Sequence, residues 1–264
     1  MAARVKVAVL GVGSLGRQHT RIYGEMHRQG IVELAGVYDT DDALAKSIAE
    51  KHGTVTLGSV EAAAEAADAL SIVTPTVTHH ALAKPLLEQG KHLLVEKPMT
   101  DHAEQATELV RLAKRHDCIL QVGHIERFNP VFNYLREAAR EPRFIESHRL
   151  SPFPARSMDI GVVLDLMIHD LDIVLAFVRS PVEQIDAAGV RVLSASEDIA
   201  NARLRFANGC VANLTVSRVS PESLRKIRVF SGGDPPSYMS LDYREQKGYH
   251  YRLARDDEAE SSLL

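Results

Sequence analysis

VKVAVLGVGSLGRQH, residues 5–19, is the stretch that decides the fold of this chain. An apolar run predicts a buried strand over 5–10, and the pattern over 14–28 predicts a helix close behind it. The spacing GxGxxG lies at their junction, the context in which this motif binds a dinucleotide. Gly11 allows the tight turn, Gly13 lets a pyrophosphate approach the backbone, and Gly16 lets the helix sit against the sheet. We therefore expect a phosphate-binding loop here, which also includes Ser14 and Leu15.

Strands and helices alternate as far as Val122, which is typical of a parallel sheet wrapped by helices. Further strands are predicted over 32–38, 69–73, 92–95 and 119–122, and further helices over 42–52, 60–66, 78–89 and 101–115. After Gly123 the pattern changes to one long helix over 160–177 and to strands over 182–192, 199–206, 210–218, 226–230 and 239–243. This organisation predicts an α/β protein with a doubly wound domain, 1–123, and a second domain, 124–264, in which a helix packs on a mostly antiparallel sheet.

Composition and charge exclude several classes of protein. A length of 264 residues favours two domains, and a net charge of -4 without a basic segment argues against a nucleic-acid partner. No apolar stretch approaches the roughly 20 residues of a membrane span, so we expect no membrane partner. The only cysteines, Cys118 and Cys210, are far apart, which argues against a disulfide scaffold or a cysteine-based metal site. They favour a reducing compartment, and we expect a cytoplasmic protein without a metal.

Asp39 ends the second predicted strand, where an acidic side chain accepts hydrogen bonds from the adenosine ribose of a dinucleotide. The neighbouring Asp41 and Asp42 would repel a 2′-phosphate, which favours NAD over NADP as the cofactor. A glycine turn without a ligand is the alternative interpretation of the loop. The combination of strand, glycines, helix and acidic residue favours NAD binding over that alternative.

Two further groups of residues suggest chemistry. Lys97 follows the strand 92–95 in Glu96-Lys97-Pro98, at the sheet edge where open α/β folds bind ligands, although lysines at such positions are often solvated surface groups. Asp165 and His169 are four residues apart, so they share one face of the long predicted helix. A carboxylate beside an imidazole raises its basicity and suits a general base. A hydrogen-bonded core histidine is the alternative.

These motifs together resemble the Gfo/Idh/MocA oxidoreductases, a family named for glucose-fructose oxidoreductase and inositol dehydrogenase. The matching segments are 11–19, 71–75 with His79, 90–98, and Asp165 with His169 and Asp172. The resemblance implies a Rossmann domain followed by an α/β domain with an open, mostly antiparallel sheet, through which members often form homo-oligomers. It also implies an NAD cofactor. The implied catalytic residues are Lys97, Asp165 and His169, and the implied further cofactor contacts are Thr74, Pro75, His79, Glu96 and Lys97.

Two stretches, 122–130 and 148–163, resemble one subgroup of this family, the UDP-N-acetylglucosamine 3-dehydrogenases. Those enzymes oxidise the 3-hydroxyl of the sugar before a transamination, and so supply amide-linked acyl chains to lipid A. The resemblance implies a nucleotide-sugar substrate and an aminotransferase as pathway partner. The expected substrate contacts are Arg127, Asn129, Arg149 and Arg156. Arg149 and Arg156 would pair with the diphosphate, although solvated surface arginines are an equally common alternative.

Three other functions stay open from the sequence: a dehydrogenase of another sugar or cyclitol, a glycosidase that retains its NAD, and a truncated NAD-binding relative without catalysis. Relatives usually continue past the last strands with a further helix, whereas this sequence ends in the acidic segment 255–264. From this we expect a second domain that is shorter than in relatives. Many relatives also have glycines around the catalytic Asp, where this chain has Val162, Val163 and Met167.

Overall fold

The computed structural model describes residues 3–153 and 160–254, and the chain divides into two compact units, Met1–Gly123 and His124–Leu264. The first unit contains a parallel sheet with the strand order β2-β1-β3-β4-β5. Its strands are β1 Lys6–Leu10, β2 Glu33–Tyr38, β3 Ala69–Ile72, β4 His92–Val95 and β5 Leu120–Val122. Its helices are α1 Gly16–Arg28, α2 Asp42–His52, α3 Val60–Ala66, α4 Thr76–Glu88 and α5 Ala103–Arg115. This is the predicted Rossmann arrangement.

Local signals set the ends of several helices in the first unit. The Asp41 carboxylate accepts a hydrogen bond from the Leu44 amide at the start of α2, and Gly53 ends α2 in the left-handed conformation, with φ 67°. Ser59 caps α3 in the same way as Asp41 caps α2. The prediction was less accurate for α4, which begins at residue 76 instead of 78, directly after Pro75. Proline fits the start of a helix because its missing N–H has no partner there.

The second unit contains a seven-stranded sheet in the order β12-β11-β10-β6-β9-β8-β7. Its strands are β6 Pro142–Leu150, β7 Val182–Val190, β8 Ile199–Phe206, β9 Val211–Ser217, β10 Leu224–Ser231, β11 Ser237–Asp242 and β12 Lys247–Arg252. Its helical segments are a 3-10 helix Ile125–Phe128, α6 Pro130–Ala138, a π-helix Val163–Met167 and α7 Ile168–Val178. Every strand pair is antiparallel except β6 with β9. The predicted fold class is confirmed.

The sequence did not predict α6, β12 or the central strand β6. In β6 the inward positions are Ile145, Ser147 and Arg149, so two of its three buried side chains are polar. An alternation of apolar and polar residues is therefore missing, although the strand is buried on one face. The single helix predicted over 160–177 is also wrong in detail, because it begins with the π-helix and continues as α7.

One face of this second sheet is buried and the other is largely exposed. Met167, Ile173 and Val174 pack into the same core as Leu204 and Leu214 of the sheet. On the opposite face, polar side chains of β6, β8 and β9 line a cavity of about 500 Å³. Among the residues described, no helix is both long and apolar enough to cross a membrane.

Candidate functional site

The glycine loop between β1 and α1 has the geometry that the sequence predicted. Gly11 has a φ of 84°, and a Cβ there would lie 2.7 Å from the carbonyl oxygen of Val73. A Cβ on Gly16 would overlap the carbonyl of Gly11, so only glycine lets α1 start so close to the strand. At Gly13 an added Cβ meets no described atom within 4 Å. The backbone is thus open at the position expected to face a pyrophosphate, and the chain fits a bound dinucleotide.

Asp39 lies at the carboxyl end of β2 and is bonded to two neighbouring segments. One carboxylate oxygen accepts from the Val12 amide at 2.7 Å, and the other accepts from the Asp41 amide at 3.0 Å. These bonds fix the carboxylate beside the glycine loop, and each oxygen keeps a further lone pair for a ribose hydroxyl.

Thr74 and Pro75 form the turn between β3 and α4, next to the glycine loop. Their turn is held by His79, which is buried and follows on α4. The two ring nitrogens of His79 lie 2.8 Å from the carbonyl oxygen of Thr74 and 3.0 Å from that of Pro98. His79 therefore links the backbone of this turn to the backbone of the turn after β4, where Lys97 lies.

Glu96 is buried just after β4, and its carboxylate forms hydrogen bonds within the protein. Its carboxylate accepts from the Lys97 amide at 3.1 Å and lies 3.1 Å from Nε2 of His19 on α1. Burial alone would raise the pKa of Glu96, but the hydrogen bonds and charges of His19 and Lys97 outweigh it, so the pKa is lowered. The Lys97–Pro98 peptide bond is cis, and Lys97 is half-buried.

His19 was not among the residues that the sequence indicated for this site, although it lies in the stretch that decides the fold. Its Nδ1 lies 2.8 Å from the hydroxyl of Ser71 on β3. The signal was present as a histidine just after GxGxxG, but its partner Glu96 is 77 residues away. Such a pair is recognised only when the strands are in place.

In the second unit, Asp165 and His169 lie on either side of the junction between the π-helix and α7. Both are half-buried, and residues four apart stay within about one turn of each other in both helix types. Glu197 fixes the start of this segment: its carbonyl oxygen accepts from the Val162 amide and its carboxylate from the Val163 amide. Single π turns often occur at functional sites.

A fully buried ion pair, Asp198 with Arg218, holds the start of the segment that carries Asp165 and His169. Arg218 donates from Nε to Asp198 at 2.8 Å and from Nη1 to the carbonyl oxygen of Ile160 at 2.9 Å. Asp198 also accepts from the backbone amides of residues 192–194 and from the Ser194 hydroxyl. Burial favours the protonated acid, but the bonds from Ser194, Arg218 and the amides hold the pKa of Asp198 well below its usual value.

The structure does not support the predicted substrate contact of Arg149, whose side chain points into the core. The residue is 3% exposed, and its guanidinium donates to Asp170 at 2.8 Å and to Glu126 at 3.2 Å. Burial would lower the pKa of Arg149, but the two carboxylates outweigh it and raise the pKa. Because Asp170 follows His169 directly, Arg149 anchors the first turn of α7.

Arg127 and Asn129 also have protein partners. Arg127 pairs with Asp172 through two hydrogen bonds of 2.7 Å, and its side chain is half-exposed. Asn129 caps α6 by accepting from the Val131 amide. Its amide nitrogen donates to the Tyr243 carbonyl, so the side chain is engaged within the unit. Arg156 lies outside the described residues.

The sheet thus brings together the glycine loop, Asp39, the turn at Thr74 and Pro75, and the turn at Glu96 and Lys97. All of them lie at the carboxyl ends of parallel strands, where α/β folds bind ligands. Within residues 3–153 and 160–254, no three His, Cys, Asp or Glu side chains form a group that could hold a metal ion.

Comparison with known families gives two matches that together span most of the chain. Residues 5–124 match the Gfo/Idh/MocA oxidoreductase family with an NAD-binding Rossmann fold. Residues 136–231 match the Gfo/Idh/MocA C-terminal domain.

Individual proteins show similarity over most of the same length. The UDP-N-acetylglucosamine 3-dehydrogenase of Acidithiobacillus ferrooxidans is 41% identical over 240 residues, which cover 90% of this chain and 74% of that protein. A solved structure of that enzyme matches with a TM-score of 0.87 at 38% identity, covering 97% of this chain and 86% of the other. The inositol 2-dehydrogenase of Mycolicibacterium smegmatis is 32% identical over 184 residues, covering 64% of this chain and 51% of that protein.

Proposed function

Because the chain belongs to the Gfo/Idh/MocA family of NAD-binding Rossmann oxidoreductases, we propose that it is an NAD-dependent dehydrogenase that oxidises the C3 hydroxyl of a nucleotide sugar such as UDP-N-acetylglucosamine. The observation that carries this proposal is the similarity, along nearly the whole chain, to a UDP-N-acetylglucosamine 3-dehydrogenase. The geometry of the glycine loop and of Asp39 supports the choice of NAD.

In this proposal each candidate residue has one role. His169 takes the proton of the sugar hydroxyl, and Asp165 orients its imidazole and favours the charged product of that transfer. The Lys97 ammonium would stabilise the negative charge that develops on the substrate oxygen. NAD, held by the glycine loop and Asp39, would supply the acceptor for the hydride of the sugar carbon.

The cofactor contacts are proposed on the same basis. The backbone amides around Gly13, Ser14 and Leu15 would bind the pyrophosphate at the start of α1. Thr74 and Pro75 would lie beside the nicotinamide ribose. His79 and Glu96 would act through the backbone turns that they hold, since their polar atoms bond to those turns. Arg156 would pair with the diphosphate of the sugar nucleotide.

Oxidation at C3 produces a ketone, and an aminotransferase that converts this ketone to an amine would consume the product. By the subgroup resemblance, the amine would enter lipid A synthesis in the cytoplasm. The exposed face of the seven-stranded sheet would bind a second copy of the chain.

The direct test is to incubate the purified protein with NAD and a panel of UDP-sugars and to follow the absorbance of NADH. We expect NADH to form with UDP-N-acetylglucosamine and a 3-keto sugar nucleotide to accumulate. Glycoside cleavage without net NADH would instead identify a hydrolase, and NAD binding without any turnover would identify a non-catalytic relative. Oxidation of an inositol but of no UDP-sugar would overturn the substrate assignment.

Replacement of Lys97 separates chemistry from binding. Lys97→Met should lower kcat on the order of a hundredfold or more while the Kd for NAD stays nearly unchanged, because the ammonium acts on charge in the transition state. Lys114→Met on the exposed surface of α5 is the matched control and should turn over like the parent. Parental turnover of Lys97→Met would remove Lys97 from the mechanism.

A further inference from the structure

A series of hydrogen-bonded, largely buried polar groups runs from α1 to the turn that carries Lys97. The Ser71 hydroxyl on β3 lies 2.8 Å from Nδ1 of His19 on α1. Nε2 of His19 lies 3.1 Å from Oε1 of Glu96, and Oε2 of Glu96 accepts from the Lys97 amide. A carboxylate oxygen only accepts, so Nε2 of His19 is the donor in its bond with Glu96.

The order hydroxyl, imidazole, carboxylate also occurs in hydrolytic triads, but the burial of Ser71 argues against that role. Ser71 is only 1% exposed and lies within β3, so a substrate has no access to its hydroxyl. A nucleophile must reach the reacting carbon. These hydrogen-bonded groups therefore have a structural role. The last group that they hold is the backbone amide of Lys97.

The carboxylate of Glu96 is enclosed from several sides. A Cβ added to Gly123 would lie 2.7 Å from its Oε1, so the space for the carboxylate exists only because residue 123 is glycine. His19 bonds to the same oxygen and lies at the end of the first turn of α1. The position of the Lys97 backbone is thus tied to the helix whose first amides follow the glycine loop.

We propose that His19 and Glu96 are positioning residues that tie the helix behind the dinucleotide loop to the turn bearing Lys97, and so orient the catalytic lysine. The inference rests on the proposed function, because that function gives Lys97 its role. The residues act without touching the substrate. Side chains that hold a catalytic group in place matter because a displacement of about 1 Å can cost on the order of a hundredfold in rate.

The test compares two substitutions of His19. His19→Leu removes the donor to Glu96 and should lower kcat with UDP-N-acetylglucosamine by on the order of tenfold to a hundredfold, with the Kd for NAD unchanged. His19→Gln keeps an N–H near the position of Nε2 and should stay close to the parent. His80→Leu, which breaks the surface pair of His80 with Glu108, is the matched control and should not change kcat.

Two further measurements distinguish positioning from general damage to the fold. In the Lys97→Met background, His19→Leu should cause no further loss of the residual turnover, because its effect passes through Lys97. Without substrate, carbon NMR of the labelled Glu96 carboxyl should show a titration midpoint that rises in His19→Leu, because the bond from His19 lowers the pKa of Glu96.

The outcomes separate the inference from the proposed function. If Lys97→Met turns over like the parent, the role of Lys97 is wrong and the inference falls with it. If Lys97→Met is inactive but His19→Leu is as active as the parent, the inference alone is overturned. The same holds if His19→Gln is as impaired as His19→Leu, or if His19→Leu slows the Lys97→Met variant by the same factor as the parent.

Discussion

At the scale of single residues, we expect Asp39 to determine which dinucleotide binds. Its carboxylate is held by the amides of Val12 and Asp41, so it faces the end of the glycine loop as a fixed negative charge. A 2′-phosphate would meet this charge, whereas a ribose hydroxyl can donate to it. By calorimetric titration we expect NAD to bind at least about tenfold more tightly than NADP, a difference of about 1.4 kcal/mol.

Asp39→Asn should narrow this preference, because the charge that repels a 2′-phosphate is removed. The control is Asp68→Asn. The Asp68 carboxylate also accepts a hydrogen bond from a backbone amide, that of Lys6, but it lies at the opposite end of the sheet. This control should keep the parental ratio of affinities. Equal binding of NAD and NADP by the parent protein would show that Asp39 has been assigned wrongly.

At the scale of elements, the segment with Asp165 and His169 depends on the buried pair of Asp198 and Arg218, which holds the carbonyl of Ile160. The pKa of Asp198 is lowered in the folded state, so its contribution to stability is complete above the ordinary value of 3.8 and is lost as pH falls below it. Thermal melts should therefore show a melting temperature that falls steeply as the pH drops below about 4.

Asp198→Asn should lower the melting temperature at neutral pH by on the order of 5 °C or more, because Arg218 is left buried without its counter-charge. In this variant the melting temperature should also fall less steeply below about pH 4, since the titrating carboxyl group has been removed. Glu141→Gln breaks the exposed pair with Arg143 and should change neither quantity. If the melting temperature of Asp198→Asn fell as steeply with acid pH as that of the parent, this assignment would be contradicted.

At the scale of the whole molecule, the exposed face of the seven-stranded sheet carries five aromatic rings in contact. The rings belong to Phe144, Phe230, Tyr238, Tyr249 and Tyr251, and neighbouring centroids are 4.7 to 6.2 Å apart. Tyr249 is 68% exposed and Tyr251 59%. Exposed apolar patches of this kind often mark protein interfaces, which supports the proposal that a second copy covers this face.

Light scattering after gel filtration should give at least a dimer for the parent. Tyr251→Glu should shift the mass toward the monomer, because a charge would be buried in the contact. Ile119→Glu is the control, since Ile119 is equally exposed, at 65%, but lies beside the other sheet. A monomeric parent, or a Tyr251→Glu variant that assembles normally, would contradict the proposed interface.

The sequence by itself determined the elements whose signals are local. The apolar strands of the first unit, the helix caps at Asp41 and Ser59, and the glycine loop each depend on residues within a few positions of one another. Backbone sterics and hydrogen bonding at that range do not need the rest of the chain. The positions of Asp39 and Lys97 followed as well, because the ends of parallel strands meet at one edge.

Only the tertiary structure decided which polar side chains are buried and what they bind. Arg149 looked like a ligand for phosphate, but Asp170 and Glu126 surround it, and no local pattern relates those three positions. β6 was missed for the same reason, since a charged residue faces the core only where distant partners compensate its desolvation. His19 likewise gained its partner Glu96 only when α1 and β4 came together. Buried charges are compensated by partners that are distant in sequence, so the spacing of residues along the chain does not show which residues will pair.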